Sequence, residues 1–280
     1  MNSNESQMEL GEDYADIRES VAKLCAGFPG EYWRKLEDGR AYPSEFVGAL
    51  TASGFLGALI PENYGGAGLP LRAASVILET IHASGCSAGA CHAQMYIMGT
   101  LLRHGSDAQK QEFLPRIASG ELRLQAFGVT EPTTGSDTTQ LKTRAVRDGD
   151  HYVVNGQKIW TSLAHISDWI FVVSRSEEGS KGPKGLTFLM MEIDQPGIEI
   201  RPIKQINGDA EFNETFFTDA KCPADSLIGA VGDGWKIAMG LLAFERGVST
   251  LGQQMGFRNE LDEVIAAAKA TGAASPAKFL

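Results

Sequence analysis

Apolar positions at helical spacing dominate the first 120 residues of the chain. Their spacing between residues 8 and 28 predicts one amphipathic helix, with apolar positions at Ile17, Val21, Leu24 and Phe28. Residues 43–54 predict another helix with Ser44 as its N-cap. Few charges interrupt residues 71–103, which therefore predict one or two largely buried helices. The run GSDAQKQEFLPRIASGEL predicts a short capped helix followed by a turn.

The pattern changes near Arg123 to short strand-like runs with turn residues between them. Asn155-Gly156, inside HYVVNGQKIWTS, is a strong signal for a β-hairpin turn. Further strand-like runs are DWIFVVSRS, GLTFLMMEI, GIEIRPIK and EFNETFFTDA. Several short strands at close spacing predict a small antiparallel β-sandwich or barrel.

From Trp235 the apolar period becomes helical again. The apolar residues of this helix cover a broad arc, namely Ile237, Leu241, Leu242, Val248 and Leu251. A helix of this kind needs neighbours on more than one side, and the short following segment NELDEVIAAAKA is too little to cover it. We therefore predict an α+β protein with a helical domain (1–122), a β domain (123–232) and the start of a helical bundle (233–280).

Composition limits the classes of function. The chain is 43% hydrophobic and carries a formal net charge of −10, which argues against nucleic-acid binding because that depends on basic residues. It contains no apolar run of membrane-spanning length, and its N-terminus resembles neither a secretory signal nor a transit peptide. Four scattered cysteines suggest reduced thiols. We expect a cytoplasmic protein, or one in another reducing, soluble compartment, without membrane partners.

Two histidines and two cysteines lie close together in IHASGCSAGACHAQ. His82 and Cys86 are four residues apart and could share one face of a helix toward a metal. Small residues surround them, however, and a free cysteine packs as a small hydrophobe. We therefore predict close helix packing here and no metal site.

The stretch LQAFGVTEPTTGSD joins an apolar strand to a polar turn. Proline and glycine shape such a turn, and serine, threonine and aspartate supply hydrogen-bonding groups. From the residues alone, this strand end either holds a polar ligand or simply turns.

Four segments in order resemble the acyl-CoA dehydrogenase family of flavoproteins: PENYGGAGLP, AFGVTEPTTGSD, VVNGQKIWTS and IGAVGDGWKIAMGLLAFERG. The resemblance covers nearly the whole chain. It implies a helical N-domain, a middle β-domain and a C-terminal helical bundle, with FAD as cofactor and an acyl-CoA thioester as substrate. It also implies an electron-transfer flavoprotein as electron acceptor.

The resemblance gives roles to residues in the first flavin segment. Phe127, Val129 and Thr130 would run along the pyrimidine side of the flavin, with main-chain amides and the threonine hydroxyl as donors. Ser136 would face the pantetheine arm of the substrate, and Gly135 would allow its close approach. Fixed donors suit this task because flavin reduction places negative charge on the pyrimidine end.

In the second flavin segment the resemblance assigns Trp160, Thr161 and Ser162 to the cofactor. Trp160 would pack on the ring, and the Ser162 hydroxyl would bond it near N5. From the residues alone, Trp160 could equally be an ordinary core residue.

A carboxylate must take the α-proton while flavin N5 takes the β-hydride. Some family members carry this base on the first C-terminal helix, directly before an arginine, which matches Glu245 and Arg246 here. Arg246 would then bind substrate, and the alternative for both residues is an ion pair on a helix surface.

The family's C-terminal domain normally continues with further helices, whereas this sequence stops at Leu280. We expect a homo-oligomer, or a hetero-oligomer with a chain that supplies those helices. A non-catalytic partner of a full-length dehydrogenase is the alternative to an active enzyme.

Overall fold

The computed structural model describes residues 14–272, except for the side chains of residues 248–251. Helices come first: α1 (Ala15–Cys25), α2 (Gly30–Gly39), α3 (Ser44–Ala52), α4 (Leu71–Ala83), α5 (Gly89–His104) and α6 (Asp107–Ser119). Strands follow: β1 (Leu124–Gly128), β2 (Arg144–Asp148), β3 (His151–Ser162), β4 (Trp169–Arg175), β5 (Leu186–Glu192), β6 (Ile198–Ile203), β7 (Phe212–Pro223) and β8 (Leu227–Ile228). One long helix, α7 (Gly234–Ala270), comes last. The predicted order of helices, strands and helix is confirmed.

Capping explains where α6 begins. The Ser106 hydroxyl accepts from the Gln109 N–H at 3.2 Å, and Gln109 Oε1 accepts from the Ser106 N–H at 2.9 Å. This reciprocal pair satisfies two donors that the first turn would leave unpaired. Ser44 behaves differently from our prediction, because it is the first residue inside α3 and Pro43 takes the cap position without a side-chain bond. Residues 30–39 also form a helix that the sequence pattern did not predict.

The strands form one mixed sheet in the order β6-β7-β3-β2-β4-β5-β8, and β1 also pairs with β4. The order does not return to its first strand, so the predicted barrel is not closed. The sheet is also not purely antiparallel, because β1 and β4 run parallel. The β2–β3 hairpin lies between β1 and β4 in the sequence and provides the crossover that a parallel pair requires.

The predicted hairpin at Asn155-Gly156 is wrong. Residues 151–162 form one continuous strand, and the hairpin turn lies at Gly149-Asp150, where Asp148 pairs with His151. Gly156 instead marks a β-bulge, where the register between β3 and β7 shifts after Val154. A Cβ on Gly156 would lie 2.5 Å from the Thr143 hydroxyl oxygen, so this glycine serves close packing and not a turn.

The long helix α7 is unbroken, so NELDEVIAAAKA continues it and does not fold back as a separate packing partner. Its first half is buried against the sheet and against α5. A Cβ on Gly234 would lie 2.6 Å from the Leu186 backbone, and Ile237 and Leu241 belong to the same apolar core as Phe171 and Phe188. Val248 and Leu251, also predicted to be apolar contacts, have side chains outside the described part. This packing fixes the start of α7 against the sheet.

Candidate functional site

The first predicted flavin segment lies at the end of β1, beside the centre of the sheet. Phe127 packs on Phe188 with ring centroids 5.6 Å apart, and Val129 is buried. Thr130 is half-buried. Within residues 14–272 we find no acceptor for the Val129 and Thr130 N–H groups and no partner for the Thr130 hydroxyl. Unpaired donors at a strand end suit a ligand with several acceptors, since such groups are normally hydrogen-bonded.

The second predicted segment ends β3 and has unusual backbone geometry. Trp160 has φ of 61° and Leu163 has φ of 54°, both in the left-handed region that most side chains avoid. The Trp160 side chain is 53% exposed although it is large and apolar, and it touches Phe212 edge-on with centroids 6.1 Å apart. Backbone strain of this kind clusters at binding sites.

Two neighbours of Trp160 differ in what they offer to a ligand. The half-buried Ser162 side chain has a hydroxyl for which we find no partner in the described part of the chain. Thr161 is fully buried, and its hydroxyl lies 3.4 Å from that of Thr215. Thr161 therefore has no exposed group for the predicted contact with the cofactor, and its carbonyl oxygen accepts from Asn213 Nδ2 at 2.9 Å.

A buried ion pair joins the two segments. Lys158 Nζ lies 2.9 Å from Glu131 Oε1 and 3.1 Å from the Val129 carbonyl oxygen. Lys158 is fully buried and Glu131 is 5% exposed. The Ile159 N–H also donates to the Thr130 carbonyl at 2.9 Å. The two stretches, separated in the sequence, are thus fixed edge to edge.

The charges of this pair shape both pKa values. Burial lowers the pKa of Lys158 to about 8, against the opposing effect of the Glu131 charge. For Glu131, burial acts to raise the pKa, but the Lys158 charge outweighs it together with hydrogen bonds that include the Lys142 N–H at 2.6 Å and the Thr143 N–H at 2.9 Å. The pKa of Glu131 therefore lies below its ordinary value, and both partners are charged near neutral pH.

The predicted pantetheine contacts lie in the turn after the ion pair. Glu131 and Thr134 close the turn through hydrogen bonds between their main chains, at 3.4 and 3.0 Å. Gly135 and Ser136 then face solvent. Asp137 follows and accepts from the Thr139 N–H at 3.1 Å, which fixes the end of the turn. Ser136 is thus available to an incoming molecule from the solvent side.

Glu245 lies on α7 against the first turn of α5. His92 Nε2 is 3.2 Å from the Glu245 carbonyl oxygen. Burial raises the pKa of the Glu245 carboxyl, although the neighbouring Arg246 charge acts to lower it. Burial and the nearby Glu245 charge raise the pKa of Tyr96, one turn further along α5. A carboxyl with a raised pKa in a partly buried position is a candidate acid or base.

The N-terminal turn of α5 connects this carboxyl to the flavin segments. Gln125, on β1, donates to the Ala90 carbonyl at 3.0 Å. Ala90 and His92 therefore place β1 on one side of α5 and Glu245 on the other. Arg246 is exposed and is the next residue on α7. The structure thus brings the main chain of Glu245 to the same helix end that supports β1.

A groove of about 900 Å³ opens beside these elements. It runs between α2, the end of α4, the segment after β3 and the second half of α7. Leu163 and His165, which directly follow the predicted flavin contacts, form part of its wall. Space for an elongated ligand thus adjoins the end of β3.

Two protein-family models match the chain. The N-terminal domain of acyl-CoA dehydrogenases matches residues 11–121, and the middle domain of the same enzymes matches residues 126–220. The acyl-CoA dehydrogenase IpdE1 of Mycolicibacterium smegmatis is 42% identical over 288 residues, covering 95% of this chain and 72% of the relative. The chain belongs to the acyl-CoA dehydrogenase family.

Two further similar proteins support the assignment of this chain to the acyl-CoA dehydrogenase family. IpdE1 of Mycobacterium tuberculosis is 44% identical over 258 residues, covering 91% of this chain and 66% of the relative. A solved structure named Tcur3481-Tcur3483 steroid ACAD superposes with a TM-score of 0.82 at 30% identity, covering 95% of this chain and 70% of that chain. The chain thus spans about two thirds of the length of these relatives. The predicted family and fold class are confirmed.

The residues at the β1 and β3 ends fit the flavin that acyl-CoA dehydrogenases bind. Unpaired amide and hydroxyl donors lie on one segment, and an exposed aromatic ring and a hydroxyl lie on the other. A flavin presents ring oxygens and nitrogens to such donors and a flat face to an aromatic ring.

Two charged residues of this candidate site were missed by the sequence analysis. Glu131 was noted only as part of a turn, and Lys158 was not considered. The available signal was a lysine in the middle of the strand-like run HYVVNGQKIWTS, because a charge at an inward position requires a partner. Its partner lies 27 residues earlier, and no local pattern identifies it.

No helix among the described residues is both long and apolar enough to cross a membrane. The cysteines, where the sequence analysis weighed a metal site, are all buried and free of disulfides within the described part. Cys86 Sγ lies 3.9 Å from the Cys25 carbonyl oxygen and 3.8 Å from that of Phe28. The Cys86 thiol therefore packs the loop between α4 and α5 against the end of α1.

Proposed function

We propose that this protein catalyses the FAD-dependent α,β-dehydrogenation of an acyl-CoA thioester. One observation carries the proposal: unpaired donors and an exposed tryptophan meet at the ends of β1 and β3, and one turn of α5 connects them to the main chain of the half-buried Glu245 on α7. Family membership supplies the reaction class, and this arrangement supplies residues for each task in it.

Thr130, Trp160 and Ser162 would hold the cofactor. The Val129 and Thr130 N–H groups and the Thr130 hydroxyl would bond the pyrimidine side of the ring, with the Ser162 hydroxyl near N5. The bound flavin supplies a hydride acceptor. The protein's own task is to hold this acceptor and the thioester in a fixed relation, which lowers the entropic part of the barrier.

Glu245 would act as the general base that takes the α-proton. Burial raises the pKa of this carboxyl toward the pH at which a base works best, while Arg246 limits the shift. Apolar surroundings also strengthen the interaction of the carboxylate with a proton that is made more acidic by the thioester carbonyl. We assign Arg246 and Ser136 to substrate binding, with Gly135 leaving room for the pantetheine arm.

The substrate would be an acyl-CoA, and a panel of thioesters identifies its acyl group. One solved relative is named as a steroid ACAD, so ring-bearing acyl groups belong in a test panel beside straight and branched chains. We propose an electron-transfer flavoprotein as electron acceptor. The working form would be an oligomer, either of this chain alone or with a second chain.

Glu245→Gln tests the proposed base. The substitution keeps the shape of the side chain and removes the proton acceptor, so flavin reduction by acyl-CoA should slow by about 10²–10⁴-fold. FAD content should stay at the wild-type level. Stopped-flow bleaching of the flavin band measures the rate, with any co-purifying partner chain retained.

Asp262→Asn provides the matched control, because Asp262 is an exposed carboxylate on the same helix. Its bleaching rate should equal the wild-type rate. In the wild type, the rate should fall as the pH drops through the raised pKa of Glu245. A Glu245→Gln protein that bleaches at the wild-type rate would contradict the assignment. A colourless protein that takes up no FAD would instead favour the non-catalytic partner.

A further inference from the structure

One peptide unit at the end of β1 has a lysine on one side and an unpaired donor on the other. The carbonyl of Val129 and the N–H of Thr130 belong to the same amide group. Lys158 Nζ lies 3.1 Å from the Val129 carbonyl oxygen. The Thr130 N–H has no acceptor within residues 14–272, and it belongs to the segment to which we assign the flavin.

The lysine is held firmly in this position. Lys158 is fully buried, and Glu131 Oε1 fixes its ammonium at 2.9 Å. The Glu131 carboxylate is itself held by the N–H groups of Lys142 at 2.6 Å and Thr143 at 2.9 Å. A Cβ on Gly128 would lie 3.0 Å from Lys158 Cγ, so a glycine at that position makes room for the stem of the lysine.

Charge at one end of an amide affects the other end. A charged donor at the carbonyl oxygen draws electron density toward that oxygen and leaves the N–H more positive, so linked hydrogen bonds strengthen one another. A more positive N–H forms a stronger hydrogen bond, and the increase is largest when the acceptor carries the most negative charge. Reduction places negative charge on the pyrimidine end of a flavin, so the donor favours the reduced form over the oxidised form.

We propose that Lys158 is a positioning residue that acts through the Val129–Thr130 amide, polarising the Thr130 N–H toward the bound flavin and so raising the flavin's reduction potential. The proposal rests on the proposed function, since it takes the flavin as the ligand of this strand end. Glu131 keeps the ammonium in place and balances its charge.

A purely structural ion pair would behave differently. Removing one partner of a buried pair is strongly destabilising whatever the site does, because the other charge stays buried without a partner. The test therefore needs readouts that stability alone does not change. It also needs a variant that leaves no buried charge unpaired, and the double variant Lys158→Met with Glu131→Gln meets that requirement.

The sequence offers a selective probe of this amide. Val129-Thr130 is the single Val-Thr pair in the whole chain. Protein labelled with ¹³C at valine carbonyls and ¹⁵N at threonine therefore gives one carbonyl–amide correlation, from this peptide unit. We expect the Thr130 amide signal to move downfield when FAD is added to the wild type, because its N–H gains an acceptor. An unchanged signal in FAD-loaded protein would overturn the proposal, and this measurement requires no variant to fold.

The reduction potential of the bound FAD provides the second measurement. In the double variant the preference for reduced over oxidised FAD should drop about tenfold, which is about 30 mV for a two-electron couple. The Val129 carbonyl signal should also shift upfield as it loses a charged donor. Arg175→Met is the matched control, because Arg175 is a half-buried cation bonded to other main-chain oxygens, among them those of Thr139 and Leu141. The reduction potential of FAD bound to Arg175→Met should equal that of FAD bound to the wild type.

The outcomes separate this proposal from the proposed function. A double variant with the wild-type potential, or a control with the same drop, would overturn the role of Lys158. If the Thr130 signal moves in the wild type and the FAD potential drops in the double variant, the role of Lys158 stands. If no acyl-CoA then reduces the FAD of the wild type, only the proposed reaction is contradicted.

Discussion

Trp160 combines two features at the level of a single residue that a stability role does not explain. Its ring is 53% exposed, and its backbone adopts φ of 61°. A left-handed conformation costs a residue with a side chain roughly 1–2 kcal/mol. An exposed ring recovers little of that cost by burial. The geometry therefore favours a role for the Trp160 ring in ligand binding over a role in stability.

Replacing this residue separates binding from stability. Trp160→Gly removes the ring and relieves the backbone strain, so the stability of the protein without FAD should stay the same or rise. FAD should bind about tenfold more weakly, because stacking on an aromatic ring contributes up to about 1.5 kcal/mol. Fluorescence titration with FAD and thermal unfolding measure the two effects.

Trp160→Phe and Ser162→Ala complete this comparison. The phenylalanine keeps an aromatic face and should keep most of the affinity. Loss of the Ser162 hydroxyl should weaken FAD binding by only a few-fold, since one hydrogen bond contributes about 0.5–1.5 kcal/mol. FAD affinity in Trp160→Gly equal to that of the wild type would show that the ring does not contact the cofactor.

At the level of elements, periodicity predicted α4, α5, α6 and the central strands because each has a regular apolar pattern. It failed at Gly156, where a turn signal lies inside a continuous strand. Both a hairpin turn and a bulge use glycine, and the choice depends on Thr143, which directly precedes the neighbouring strand β2. A local pattern does not contain that neighbour. Motif resemblance likewise drew attention to Trp160 but not to the contact between Glu131 and Lys158, which only the folded sheet creates.

Replacing Gly156 or Gly149 by alanine should lower the stability of the protein by different amounts. Gly156→Ala would place a Cβ 2.5 Å from the Thr143 hydroxyl and 2.7 Å from its Cα, so backbone must shift. We expect a loss of about 1–3 kcal/mol, as in other overpacked sites. Gly149→Ala, in the true hairpin turn, has no atom within 4 Å of the new Cβ and should cost only about 1 kcal/mol of backbone strain. Urea unfolding of both variants measures the difference, and equal losses would argue against the bulge.

At the level of the whole molecule, α5 is the element that unites the site. It contacts β1 through Gln125 and Ala90, and α7 through His92 and Glu245. Helical domain, sheet and last helix thus meet at one turn. The sequence indicated each segment but not this meeting point, because the contacts join residues 35 and 153 positions apart.

The second half of α7 leaves an apolar stripe exposed. Its residues lie three or four positions after the preceding apolar residue, at Phe257, then Leu261, then the adjacent pair Val264 and Ile265. They are 40–67% exposed. Contiguous apolar surface of this kind marks an interface or a tendency to aggregate. We therefore expect the chain on its own to associate through this stripe and to retain FAD weakly.

Phe257→Ser with Val264→Ser tests this expectation. The double variant should elute as a smaller species than the wild type in size-exclusion chromatography at the same protein concentration. Arg258→Ser with Glu263→Ser is the matched control, because it changes two exposed charged residues on the same stretch of helix and should leave elution unchanged. Flavin absorbance recorded across the profile shows which species carries FAD. A wild-type chain that elutes as a monomer at high concentration, with a full complement of FAD, would show that the stripe needs no partner.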